Sequence, residues 1–192
     1  MRIVLASRSS SRRAILRGAG IDHEAVAAEV DEGDLKARHV GSPADLARYL
    51  ADAKALSVTA PGAFVLGGDQ VLEFEGEAFD KPKSRQEAAE RLVSMSGATH
   101  YLRGGLSLAR NGEIVWRHAS TAAMTMRPMT RADADAYLDA AGEGVLATVG
   151  AYEFEGLGAR LFDKVAGDFF AVLGLDLLPL AAELRRRGAL PW

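Results

Sequence analysis

The residues of this chain most able to do chemistry fall in a few short stretches. In LASRSSSRRAIL, residues 5 to 16, Ser7 directly follows an apolar strand, and Ser9, Ser10 and Ser11 sit where a helix should begin. Unpaired backbone N–H groups and the dipole at a helix start favour an anion. Arg12 and Arg13 add forked donors suited to phosphate oxygens. A capping serine followed by solvated arginines fits the same letters, and with no G-x-x-x-x-G-K-[ST] sequence the stretch is not a P-loop. In GGDQV, Asp69 follows an apolar run and two glycines, so a ligand can approach the backbone closely while the carboxylate projects from a core strand. A glycine turn with a capping aspartate is the equal alternative.

Two lysines and one more carboxylate strengthen the pattern. Leu46, Leu50 and Lys54 recur at i, i+4 and i+8, which puts an ammonium on the helix stripe that faces the core, unless it snorkels. Lys81, in FDKPK, precedes a proline that holds it extended just before a capped helix, though an ordinary loop lysine reads the same way. Glu32, in EVDEGD, is expected at the end of the second strand, as a metal-ligating carboxylate or part of a solvated acidic loop. His23, His39, His100 and His118 lack i, i+4 or H-x-E spacing, so neither a zinc site nor a histidine triad has support. Trp116 and the phenylalanines read as core.

The elements that must position these groups alternate along the chain. Residues 2 to 5 read as a strand, 10 to 18 as a helix, 24 to 30 as a second strand, and 43 to 58 as a helix with Ser42 as N-cap and Pro43 at its first position. A buried strand over 63 to 74, interrupted by two glycines, precedes a helix over 84 to 95 with a capping box from Ser84 to Glu87. A long hairpin then turns at Asn111-Gly112. A helix near 130 to 140, a glycine-rich irregular stretch and a closing helix over 176 to 187 complete an α/β chain with a mixed sheet. With 192 residues, 48% of them hydrophobic, the chain can bury roughly 70% of the surface its unfolded form exposes. The absence of cysteine excludes disulfides and a thiolate nucleophile. A net charge of −3 argues against a protein that wraps a nucleic acid. No signal segment or membrane span is readable, so a cytoplasmic protein without membrane or nucleic-acid partners is expected, with a homodimer left open.

Taken together, LASRSSSRRAIL, EVDEGD, LADAKAL, GGDQV, DKP, MSGATH, GAYEFEGLGARLF and GDFFAVLGL occur in the order and at about the spacing found in the Maf (septum-formation-like) nucleoside triphosphate pyrophosphatases, which the whole chain resembles. The resemblance implies a Maf/Ham1-like (ITPase-like) fold in which a curved mixed sheet and flanking helices form two lobes around a cleft, with residues 1 to 192 as one domain. It implies hydrolysis of a nucleoside triphosphate to the monophosphate and pyrophosphate with a divalent cation, usually Mg2+, with Mn2+ as the substitute. By motif, Asp69 matches the proton acceptor, Lys54 and Lys81 the two lysines, and Ser7, Arg12 and Arg13 the phosphate region. Glu32 matches the acidic residue of the second strand, a metal ligand together with Asp69.

Departures from the family pattern point to the base. Ser10 replaces a proline and Thr148 a lysine. Ser11, Gln70 and Glu155 stand where the thymidine/uridine-triphosphate branch carries arginine, threonine and glutamine, which sets them as substrate-binding positions. These three positions resemble the 7-methyl-GTP branch more closely, although that branch tends to carry tryptophan at the place of Ser11. The alternative is a nucleotide- or nucleic-acid-binding regulator of cell division without efficient turnover.

Overall fold

A computed structural model describes residues 1–192, ordered as a mixed α/β chain. Its elements are β1 (Ile3–Ala6), α1 (Ser10–Gly18), β2 (Glu24–Val26), α2 (Glu32–Arg38), α3 (Pro43–Leu56), β3 (Phe64–Phe74), β4 (Glu77–Phe79), α4 (Arg85–Ser94), β5 (Thr99–Arg110), β6 (Glu113–Met126), α5 (Arg131–Ala141), β7 (Phe162–Ala166), α6 (Phe169–Val172) and α7 (Leu177–Arg186). Two 3-10 turns, Glu143–Ala147 and Leu157–Leu161, fill the glycine-rich stretch. The strands form one seven-stranded sheet in the order β2-β1-β3-β5-β6-β7, with β4 paired to β3. β1 is parallel to both β2 and β3, whereas β3–β4 and β6–β7 are antiparallel. No helix is long and apolar enough to cross a membrane.

Two compact units divide the chain: Met1–Gln70, Arg103–Ser120 and Asp168–Trp192 form the first, and Val71–Leu102 and Thr121–Gly167 the second. In the first unit β1 is buried on both faces, as a parallel inner strand requires. Ile3 and Leu5 pack with Ile15 and Leu16 of α1 and Leu180 and Leu184 of α7, while Val4 and Ala6 pack with Ala55 of α3. Fully burying a leucine such as Leu5 contributes roughly 1.5–3 kcal/mol. The second unit buries Leu72, Leu92, Met95, Met124, Met126 and Leu161 completely.

Local signals account for most element ends. The Ser42–Asp45 and Thr130–Asp133 pairs form reciprocal capping boxes at α3 and α5. At α4, Ser84 caps as expected, but Glu87 Oε2 accepts from the Lys83 N–H, one residue before the cap, so the box is shifted rather than reciprocal. Asn111 and Gly112 both adopt positive φ, 52° and 82°, the two-residue turn that matches the strand twist. Two expectations fail. The second strand ends at Val26 rather than running to residue 30, and residues 32–38 form α2 instead, because the Asp31 side chain accepts from the Asp34 N–H and caps a helix. Glu32 therefore lies in the first turn of a helix, not at a strand end.

Candidate active site

The first unit gathers Ser7, Arg12, Glu32, Lys54, Asp69 and Gln70. α3 carries Lys54 on the same stripe as Leu46 and Leu50, and all three are buried. Gly67 permits this: a Cβ there would lie 2.2 Å from the Ala51 carbonyl oxygen and 2.5 Å from the Ala55 nitrogen, so only glycine lets the α3 backbone settle on β3. At Gly68 a Cβ would stand 3.0 Å from Leu106 Cδ2 and 3.3 Å from Arg12 Nε, so those side chains would have to give by a few tenths of an ångström. The glycine pair before Asp69 thus brings the α3 backbone against Gly67 and the Leu106 and Arg12 side chains against Gly68.

The resulting geometry is a buried charge cluster. Lys54 Nζ donates to Asp69 Oδ1 at 2.5 Å and lies 2.9 Å from Glu32 Oε1. Lys54 and Asp69 are each only 8% exposed, so the ammonium does not snorkel. One Lys54 N–H and Asp69 Oδ2 are left for other partners. Arg12 is also buried, with Nε donating to the Gly174 carbonyl at 2.8 Å and Nη1 to Ser7 Oγ at 3.3 Å. Of its five N–H groups, three are uncommitted. Burial pulls the guanidinium below its ordinary value, and Asp69 and Glu32 oppose that pull. Arginine remains a cation throughout.

Ser7 stands at the hinge between β1 and α1. Its hydroxyl accepts from the Ser9 N–H at 3.1 Å as well as from Arg12, while Ser9 caps α1 by accepting from the Arg12 N–H. The N–H groups of Ser10 and Ser11 thus open the helix, with Ser11 half-buried. Arg13 is one residue further on, about 100° around the helix. It lines a separate recess of about 420 Å³ with Arg17, Ile21, Asp22 and His23. Gln70 Nε2 donates to the carbonyls of Ala171 and Val172 at 2.9 and 3.2 Å.

The second unit holds Lys81 and Glu155, both exposed. Lys81 follows Asp80, whose carbonyl accepts from Arg91 Nη1; the same nitrogen donates to the Val149 carbonyl at 2.6 Å. Arg91, buried on α4 and stacked 5.3 Å over Phe79, thereby ties the Lys81 loop to the start of the GAYEFEG stretch. Glu155 occupies the turn before the second 3-10 helix. His100 is core, fully buried with Nε2 2.7 Å from Tyr152 Oη, and burial pushes its pKa down to about 4.

Sequence reasoning missed Arg91 and the Gly174 carbonyl. Arg91 is indistinguishable from a surface helix arginine by its letters, and a backbone acceptor carries no residue signature. GDFFAVLGL marked the right segment, and Asp168 in it caps α6 through Oδ1 to the Phe170 and Ala171 N–H groups.

No group of three or more histidine or acidic side chains is placed to hold a metal, so an all-protein cage is not built here. Glu32 and Asp69 nevertheless converge on one nitrogen. Two carboxylates that rely on ligand oxygens for the remaining positions suit Mg2+, which commonly uses one or two carboxylates plus substrate phosphates.

Buried cations interlocked with carboxylates beside the start of a helix, on a mixed α/β sheet, make an arrangement suited to a polyanion. The chain belongs to the Maf-like protein family, which matches residues 2–187. It is 47% identical to the 7-methyl-GTP pyrophosphatase of Mesorhizobium japonicum, covering 98% of both chains, and 45% identical to that of Rhizobium meliloti, covering 98% and 97%. It is also 45% identical to the nucleoside triphosphate pyrophosphatase of Nitrobacter hamburgensis over 98% of this chain and 95% of that one. Among solved structures, the Ham1 protein of Staphylococcus aureus aligns with a TM-score of 0.42 at 15% identity, over 66% of this chain and 72% of that one.

Proposed function

We propose that this chain hydrolyses a nucleoside triphosphate to the monophosphate and pyrophosphate, drawing on the cytoplasmic nucleotide pool. The observation that carries the reading is Asp69, a buried carboxylate held 2.5 Å from the Lys54 ammonium beside the Arg12 guanidinium. Asp69 accepts a proton from water as its oxygen bonds to the α-phosphorus, and the bond from that phosphorus to the bridging oxygen breaks to release pyrophosphate. Lys54 and Arg12 take charge on the phosphate oxygens through their remaining N–H groups, with the opening N–H groups of α1 as further donors. Ser7 holds Arg12, and the phosphate role proposed for Arg13, which lines the recess further around α1, rests on its motif alone. Glu32 and Asp69 are the residues that would hold a divalent cation, which would supply charge neutralisation and polarisation at the triphosphate. Mg2+ is the cation proposed, with Mn2+ as its substitute.

For Lys81 and Glu155 the proposed roles rest on their motifs. Lys81 is a second catalytic cation. Glu155 accepts hydrogen bonds only, so it favours the N1–H and exocyclic amine of a guanine and disfavours the carbonyls flanking the single ring N–H of a uracil. Methylation at N7 makes the ring cationic and N1–H more acidic, which strengthens that pairing. Ser11 leaves room at the base without supplying an aromatic face. The substrate proposed is therefore a guanine-type triphosphate, 7-methyl-GTP first.

The test is pyrophosphate release from 7-methyl-GTP, GTP, dTTP and UTP with Mg2+, for wild type and Glu155→Gln. Wild type should prefer 7-methyl-GTP, Glu155→Gln should shift the ranking toward the pyrimidines, and EDTA should abolish turnover. A wild type that prefers dTTP or UTP, an unchanged ranking in Glu155→Gln, or full activity in EDTA contradicts the corresponding part of the proposal.

A further inference from the structure

We propose that Arg91 and Glu87, one helical turn apart on α4, are positioning residues: they clip the connection 80–83 from both sides and so present Lys81 to the phosphates. The inference rests on the functional reading above, in which Lys81 is a second catalytic cation. Residues 80–84 join β4 to α4 and belong to neither ladder nor helix, and Lys81 among them is exposed. A long cation on irregular backbone is placed only as well as the backbone beneath it, and any freedom left there must be removed when substrate binds.

Arg91 holds the residue before Lys81. Its Nη1 donates to the carbonyls of Asp80 and Val149, so both N–H groups of that nitrogen are spent on backbone from two different stretches. Glu87 holds the far side: Oε2 accepts from the Lys83 N–H at 2.9 Å, while Oε1 accepts from Arg91 Nη2 at 3.0 Å. One ion pair therefore takes the carbonyl before Lys81 and the N–H two residues after it, and Pro82 between them is buried. By its letters this is an ordinary i, i+4 surface pair. Arg91 is nevertheless only 6% exposed, so these acceptors and the Phe79 ring stand in for water around its charge. Burial pulls the guanidinium below its ordinary value, and Glu87 is foremost among the groups that oppose that pull. Loosening either member leaves the other short of a partner and frees the backbone that carries Lys81.

The test is a kinetic cycle with 7-methyl-GTP and Mg2+, paired with hydrogen exchange. Arg91→Met removes the donors and keeps an unbranched stem, and Glu87→Gln keeps the shape but turns an amide NH2 toward one of its two donors. Arg91→Met should lower kcat about tenfold and Glu87→Gln about threefold, each with KM within about twofold, as when a charge-assisted contact that acts in the transition state is loosened. In a Lys81→Ala background both should add little, because the residue they present is gone. Exchange of the backbone amides within 81–83 should speed up in both variants while that of α3 stays at the wild-type rate. A loss of the same factor with and without Lys81 makes the pair a general support of the fold and overturns the proposal, as does a loss carried by KM alone or unchanged exchange in 81–83. Should Arg91→Met not fold, Glu87→Gln, at a side chain 41% exposed, decides by the same measurements. Absence of turnover by the wild type, or a fully active Lys81→Ala, refutes the functional reading instead, and the exchange rates then decide the clip alone.

Discussion

Replacing Lys54 by methionine keeps a long unbranched side chain at this buried position and removes the charge. Lys54 and Asp69 side chains are 10% and 11% exposed, whereas Glu32 is 45% exposed, so the two ion pairs are unequal. The Glu32 pair is close to the surface case and contributes at most about 1 kcal/mol. Breaking the Asp69 pair strands a buried carboxylate, for which about 3–5 kcal/mol is typical. Arg12, which interacts with the same carboxylate, partly compensates and places the expected loss near the lower figure, about 3 kcal/mol. The assay is urea unfolding of wild type, Lys54→Met, Asp69→Asn and the double variant at neutral pH. Neutralising Asp69 should recover much of the loss, leaving a coupling of about 2 kcal/mol between the two positions. Additivity within about 0.5 kcal/mol would mean that the pair is not the energetic centre of the cluster.

Three further outcomes follow from other contacts. Gly67→Ala drives a methyl into the α3 backbone, so it should destabilise by roughly 1–3 kcal/mol and lower kcat by displacing Lys54; an equally stable and active variant would refute the close packing. Arg12→Ala loses charged hydrogen bonds of about 1.5–3 kcal/mol, read as a roughly tenfold to more than hundredfold fall in kcat/KM, and unchanged kinetics would remove Arg12 from the phosphate site. His100 stays neutral in the folded chain down to about pH 4, against an ordinary 6.5. Over that window the unfolded chain binds a proton that the folded one excludes, so stability is intact above pH 6.5 and declines toward pH 4, by about 3 kcal/mol at most. His100→Gln should flatten this part of the pH–stability curve, and a curve of unchanged slope would contradict it.

Much of the fold was legible because its signals are local. Ser42 and Asp45 cap α3, Asn111-Gly112 turns the hairpin, and the Leu46, Leu50, Lys54 spacing correctly buries an ammonium. The failures are tertiary or masked. The second strand reads as running to residue 30 with Glu32 at its end, whereas the Asp31 cap starts α2 there. The glycines before Asp69 indicated close approach, but whether a ligand, a helix or Arg12 approached was not encoded nearby. Arg12 and Arg13 are one letter type with one apparent role, yet helix geometry sends Arg12 to Gly174 and Arg13 to another recess. The partners of Gln70, two backbone carbonyls about a hundred residues away, leave no mark in sequence.

The central claim, that water attacks the α-phosphorus with Asp69 as proton acceptor, is tested most directly by turnover in 18O-labelled water. With 7-methyl-GTP and Mg2+, mass spectrometry should find one 18O in the monophosphate and none in the pyrophosphate. Asp69→Asn, with an unchanged circular dichroism spectrum, should be slower by about 10²- to 10⁴-fold, the usual loss on removing a positioned base. Label in pyrophosphate or inorganic phosphate, a nucleoside diphosphate product, or an Asp69→Asn variant at the wild-type rate would contradict it.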